Sequence, residues 1–102
     1  MKLILKPNEM ILRAGSSVLI AEGHKISGKL IVTNQRIYFK TLEACNKKND
    51  KEILPADISE LHFFNTLRLF PNGMNIITKN GKENYFKVSN RNEWAKLITK
   101  MY

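Results

Sequence analysis

Little in this chain lends itself to covalent chemistry. It has one cysteine, Cys45, so neither an internal disulfide nor a cysteine-based zinc site can form. A reducing cytoplasm is the compartment this usage fits. There are two histidines, His24 and His62, in no H-x-x-x-H or H-x-H pair, and no metal site is expected. Nine acids are scattered, with no pair at a spacing useful for acid–base work. A phosphate-cradling glycine loop of the P-loop or dinucleotide type is also missing. Catalysis needs a nucleophile, a base and an orienting group; this inventory points away from an enzyme and from any cofactor. No apolar run nears the roughly 20 residues of a membrane helix. The opening Met1-Lys2-Leu3-Ile4-Leu5-Lys6 is too short for a secretory h-region of about 7 to 15 residues. Linkers, repeats and low-complexity segments are absent, so one domain over residues 1–102 is expected.

What the chain does have is positive charge and β pattern. Seventeen Lys and Arg against nine Asp and Glu leave a net charge of +8. Such a surface attracts nucleic acid, anionic lipid headgroups or acidic protein patches, although it also simply keeps a small domain soluble. Hydrophobic residues make up 43%, enough for one modest core.

Gly28 to Lys40 reads as a β-hairpin. A two-residue turn at Asn34-Gln35 sets Lys29 opposite Lys40, Leu30 opposite Phe39 and Val32 opposite Ile37. One face is then wholly apolar and the other carries Lys29, Arg36, Tyr38 and Lys40. Asn34 suits the positive φ that a tight hairpin turn demands. A second hairpin runs from Met74 to Val88. A three-residue loop, Lys79-Asn80-Gly81, pairs Thr78 with Lys82 and gathers Met74, Ile76, Phe86 and Val88 on one face. Gly81 takes the left-handed position. Upstream, Glu9–Arg13 and Val18–Glu22 read as strand segments separated by a bend or bulge at Ala14-Gly15-Ser16. Gly23 and Gly28 bracket a polar connection holding His24. Glu52-Ile53-Leu54 and Ile58–Asn65 are further strands, and Pro71-Asn72-Gly73 is a turn. Asn90 with Glu93 resembles a capping box, and Trp94, Leu97, Ile98 and Met101 form one helical stripe over about residues 90–101.

This order resembles the GRAM domain and the related bacterial pleckstrin-homology-like domains. Gly28-Lys29-Leu30-Ile31-Val32-Thr33-Asn34-Gln35-Arg36-Ile37-Tyr38-Phe39 is similar to the family's G-x-L-x-x-T-N-x-R-h-x-F pattern. Asn8-Glu9-Met10-Ile11-Leu12 is similar to its opening G-E-x-h-h, with Asn8 in place of Gly. Ile53-Leu54-Pro55-Ala56-Asp57-Ile58 is similar to a segment ending in D-I. The resemblance implies a mainly β, split barrel of about seven antiparallel strands capped by one C-terminal helix. It also implies a non-catalytic module that binds lipid headgroups or proteins.

The Thr33–Arg36 tip then has two readings: turn chemistry with Asn34 bonding the backbone locally, or contact with a ligand. For binding, Lys25, Lys29, Arg36 and Lys40 line one hairpin face, and Lys47, Lys48 and Lys51 extend it from the next loop. Like charges at Lys29 and Lys40 point mildly to an anion. The expected partner is an anionic membrane surface, met weakly and electrostatically at the inner membrane face. The tight basic cluster of inositide-selective pleckstrin-homology domains is lacking. The alternative partner is a protein, or a second copy in a homodimer, using Phe63, Phe64, Leu67, Leu69 and Phe70. One of the adjacent Phe63 and Phe64 should enter the core, with the helix or the N-terminal segment the plain candidate for covering the rest. Nucleic acid ranks last, because no recognition helix, zinc finger or RNP-like pattern accompanies the charge.

Overall fold

The computed structural model describes residues 4–42, 50–66 and 70–102. Seven strands follow one another: β1 (Ile11–Ala21), β2 (His24–Thr33), β3 (Ile37–Thr41), β4 (Lys51–Ile53), β5 (Ile58–Thr66), β6 (Phe70–Thr78) and β7 (Glu83–Val88). A 3-10 turn at Pro55–Asp57 links β4 to β5, and helix α1 (Arg91–Thr99) ends the chain. The strands form one antiparallel sheet in the order β4-β3-β2-β1-β7-β6-β5. It curls into a half-barrel, open between β4 and β5, with the helix packed against β6.

Both hairpin registers follow the alternation of their side chains. Lys29 pairs with Lys40, Leu30 with Phe39 and Val32 with Ile37. Met74 pairs with Phe86 and Ile76 with Asn84. Gly81 has φ +84°, in the left-handed region that closes the three-residue loop without a Cβ penalty. The inward faces bury Leu30, Val32, Ile37, Phe39, Met74, Ile76, Phe86 and Val88 in one core. Phe39 and Phe86 meet there with ring centroids 5.6 Å apart. Gly28 is needed for close approach: a Cβ would sit 2.4 Å from the Lys40 carbonyl oxygen and 2.5 Å from the Phe39 ring.

Several local readings are overridden. Ala14-Gly15-Ser16 is not a bend, because β1 runs unbroken and is paired with β2 throughout that stretch. Its one irregularity falls between Ile11 and Arg13. His24 is not in a connection but starts β2, straight after a turn at Glu22-Gly23 with φ of 50° and 79°. Pro71-Asn72-Gly73 belongs to β6, where one extra residue bulges from the pairing, since Gly73 sits opposite Phe64 and Phe70 opposite Thr66. Asn90 starts the helix in a left-handed conformation with no side-chain cap, so the capping box does not form. The stripe itself holds. Trp94 and Ile98 are buried, Leu97 and Met101 pack against the core, and Trp94 Nε1 donates to the Ser89 carbonyl at 3.0 Å.

Candidate functional site

The hairpin tip is built from a carboxylate buried far away in sequence. Glu9 Oε2 accepts from Thr33 Oγ1 at 2.6 Å and from Arg36 Nε at 2.8 Å, while Oε1 accepts from the Lys6 amide at 2.8 Å. Arg36 Nη2 reaches Glu9 Oε1 at 3.1 Å and the Ile4 carbonyl at 2.8 Å, and its Nη1 reaches Glu52 Oε2 at 2.6 Å. The forked guanidinium thus has both carboxylates and a carbonyl, the geometry that makes arginine pairs strong. Arg36 holds the Glu9 carboxyl down at about 2, against the opposing push of burial and with help from Thr33 and the Lys6 amide. Glu9 in turn pushes the Arg36 guanidinium up.

The amides of the tip reach outward too. Asn34 Oδ1 accepts from the Met10 amide at 2.8 Å, its Nδ2 donates to the Asn8 carbonyl at 3.0 Å, and Gln35 Nε2 donates to the Pro7 carbonyl at 2.9 Å. The tip is therefore structural: Thr33 bonds locally within it, while the Asn34 and Gln35 side chains bond the segment at residues 7–10. Neither Asn34 nor Gln35 has positive φ. It is Asn8 that does, at 63°, a conformation suited to the glycine it replaces in the family-like pattern.

Arg36 is accordingly removed from the expected anion-binding set: it is 5% exposed and its charge is neutralised inside the protein. Lys25, Lys29 and Lys40 do share one side of the sheet, opposite the buried Leu30 and Phe39, by the alternation of β2 and β3. Lys87 on β7 belongs with them, because it pairs with Val18, which pairs in turn with Ser27 between Lys25 and Lys29. Its sequence neighbourhood gave no sign of this, since β7 reaches β2 only across β1. Lys40 Nζ lies 3.3 Å from Asp50 Oδ2. Burial alone pushes the Asp50 carboxyl up, but the Thr41 amide and Lys40 outweigh it and hold it low. Lys25, Lys29 and Lys87 make no ion pair among the described residues.

Lys51 does not extend this face. It sits in β4 opposite Phe39, on the core side of the sheet, and faces the opening between β4 and β5. Lys47, Lys48, Cys45, Leu67 and Leu69 lie outside the described residues.

Neither Phe63 nor Phe64 enters the core. Phe63 is 44% exposed, with the Arg91 guanidinium 4.3 Å above its ring. Phe64 packs edge-on to Tyr85, centroids 5.5 Å apart. Phe70 is 51% exposed. All three lie on β5 and β6 at the free edge of the sheet.

His62 Nε2 lies 3.5 Å from Glu60 Oε2 on the surface. No group of three or more His, Cys, Asp or Glu among the described residues is placed to hold a metal ion. No helix among them is long and apolar enough to cross a membrane.

The architecture is that of a pleckstrin-homology-like domain. The chain is similar in structure to the C-terminal domain of an unknown protein from Leishmania infantum, with a TM-score of 0.78 at 13% identity over 93% of this chain and 86% of that one. It is also similar to the Vps36 N-terminal PH domain, with a TM-score of 0.73 at 14% identity over 96% of this chain and 82% of that one. No family model and no curated protein matches the sequence.

Proposed function

We propose that this chain is a non-catalytic binding module of the GRAM type. It attaches weakly to anionic membrane surfaces on the cytoplasmic side, through Lys25, Lys29, Lys40 and Lys87. The GRAM reading is supported by the bonds of Glu9 with Thr33 and Arg36 and of Asn34 with Asn8 and Met10, since Glu9, Thr33, Asn34 and Arg36 are the residues that resemble the family pattern. The membrane reading is carried by one observation: Lys29 and Lys40 are direct cross-strand neighbours on a solvent-facing side of the sheet. Like charges so placed repel; Asp50 offsets Lys40 in part, and an anionic surface relieves what is left. Each base near such a surface contributes roughly 1 kcal/mol, so four give an affinity in about the millimolar range.

The test is sedimentation with phosphatidylcholine vesicles, with and without phosphatidylserine, across a salt series. The expected result is pelleting with the anionic vesicles only, fading as salt rises, and lost in a folded Lys29→Glu, Lys40→Glu double variant. No pelleting at low salt, or pelleting unchanged by the variant, would overturn the reading.

The exposed Phe63 on the edge strand β5 and the exposed Phe70 at the start of the neighbouring β6 support a second reading, a protein partner or homodimer. It predicts association that survives salt and, for self-association, a dimer that grows with concentration in sedimentation velocity.

A further inference from the structure

The opening between β4 and β5 is a groove of about 730 Å³, lined by β4, the 3-10 turn and the β6–β7 hairpin. Its two rims are tied together, because the Lys79 amide donates to the Asp57 carbonyl at 2.8 Å. Lys51, Lys79 and Lys82 line it, as do Asp50, Glu52 and Asp57. Two of these acids are committed elsewhere. Asp50 accepts from the Thr41 amide at 2.8 Å and pairs with Lys40, and Glu52 pairs with Arg36 at 2.6 Å. The uncommitted charge is three ammonium groups against the exposed carboxylate of Asp57.

Lys51 and Lys82 line the same groove, and burial, with the Lys82 charge added to it, lowers the Lys51 pKa. Neither has a carboxylate partner among the described residues. Lys51 is half-buried and Lys82 exposed, and two like charges sharing one groove cost stability. A doubly charged anion between them would reverse the sign of that term.

The geometry points to a phosphomonoester site in this groove, with Lys51 and Lys82 on the phosphate oxygens and Lys79 at the rim. The volume is much larger than a phosphate, so the ligand carries a polar body, whether a soluble molecule or a lipid headgroup. This inference does not rest on the membrane reading. Lys51 lies on the core side of β4, whereas Lys29 and Lys40 project from the opposite side.

The experiment is an NMR titration of the full chain, following backbone amides and lysine side chains. The probes are inorganic phosphate and glycerol 3-phosphate, with chloride at matched ionic strength. Saturable shifts centred on Lys51 and Lys82, absent with chloride, are expected. The Lys51 titration midpoint should rise when phosphate is bound. Lys51→Gln, Lys82→Gln removes a repulsion and keeps the fold; it should weaken binding at least about tenfold. Lys51→Arg should retain binding, and Lys29→Glu, on the opposite side of the sheet and away from the groove lining, should leave it unchanged. Shifts spread over all lysines as with chloride, or undiminished in the Gln pair, overturn the site. Phosphatidylcholine vesicles with and without phosphatidic acid give the source. Groove-dependent binding to the phosphatidic acid vesicles, displaced by glycerol 3-phosphate, assigns a lipid headgroup. Binding of the soluble ester alone assigns a small molecule.

Discussion

Thr33-Asn34-Gln35-Arg36 and Thr78-Lys79-Asn80-Gly81-Lys82 are both polar hairpin tips that begin with threonine and end with a base. In the first, the threonine hydroxyl accepts from the Gln35 and Arg36 amides at 3.1 and 3.0 Å and donates to Glu9. Asn34 and Gln35 hold residues 7–10, and Thr33 and Arg36 are buried beneath. In the second, Thr78 bonds Asn80, and Asn80 accepts from the Lys82 amide at 3.1 Å, all within the loop. From outside, the Asp57 carbonyl accepts from the Lys79 amide, and among the described residues the Lys82 ammonium has no carboxylate partner in the groove it shares with Lys51. The difference lies in what packs on top. A base whose carboxylate is supplied by another segment becomes architecture. A base left at an open seam stays available to a ligand.

The sharpest way to break the contrast is Glu9→Ala. It leaves the buried Arg36 guanidinium with only the half-exposed Glu52 and the Ile4 carbonyl and should cost about 3 kcal/mol in urea unfolding. The same pair sets a pH dependence. The Glu9 carboxyl titrates at about 2 in the folded chain and at 4.5 without the fold. Its contribution to stability is therefore full above about 4.5 and is lost as pH falls toward about 2. In Glu9→Gln, unfolding measured across that window should be flatter than in the parent.

Asn34→Ala removes two bonds to the N-terminal segment and should cost about 1–3 kcal/mol. Amide exchange at Met10 should quicken with it. Asn80→Ala, the matched change in the other tip, loses only exposed intraloop bonds and should cost about 0.5–1.5 kcal/mol, with no effect on exchange at Met10. Gly81→Ala has open space around it and is penalised only by its φ of +84°, about 1–2 kcal/mol. Equal losses for the two asparagines would mean that the tips do not differ in the way their contacts indicate.

The registers of both hairpins, the loop length at Lys79-Asn80-Gly81 and the Trp94 stripe were legible because period 2 and period 3.6 are local properties. The breaks expected at Ala14-Gly15-Ser16 and Pro71-Asn72-Gly73 were not real. Turn residues express a weak local preference, and strands paired on one or both sides override it. Arg36 was misread as surface charge because its partners, Glu9 and Glu52, lie 27 and 16 residues away.

Alternation along the chain sufficed to say which side chains of a strand share a face, and apolar faces of that kind specify a curled β sheet under an amphipathic helix. It could not say which polar faces would be covered. That depends on how far the sheet curls and where its ends meet, which is set by the packing of the whole core. So Lys29 and Lys40 could be matched as neighbours from their spacing alone. The burial of Arg36, the company of Lys87 and the meeting of Lys51 with Lys82 across an open seam exist only once the half-barrel has formed.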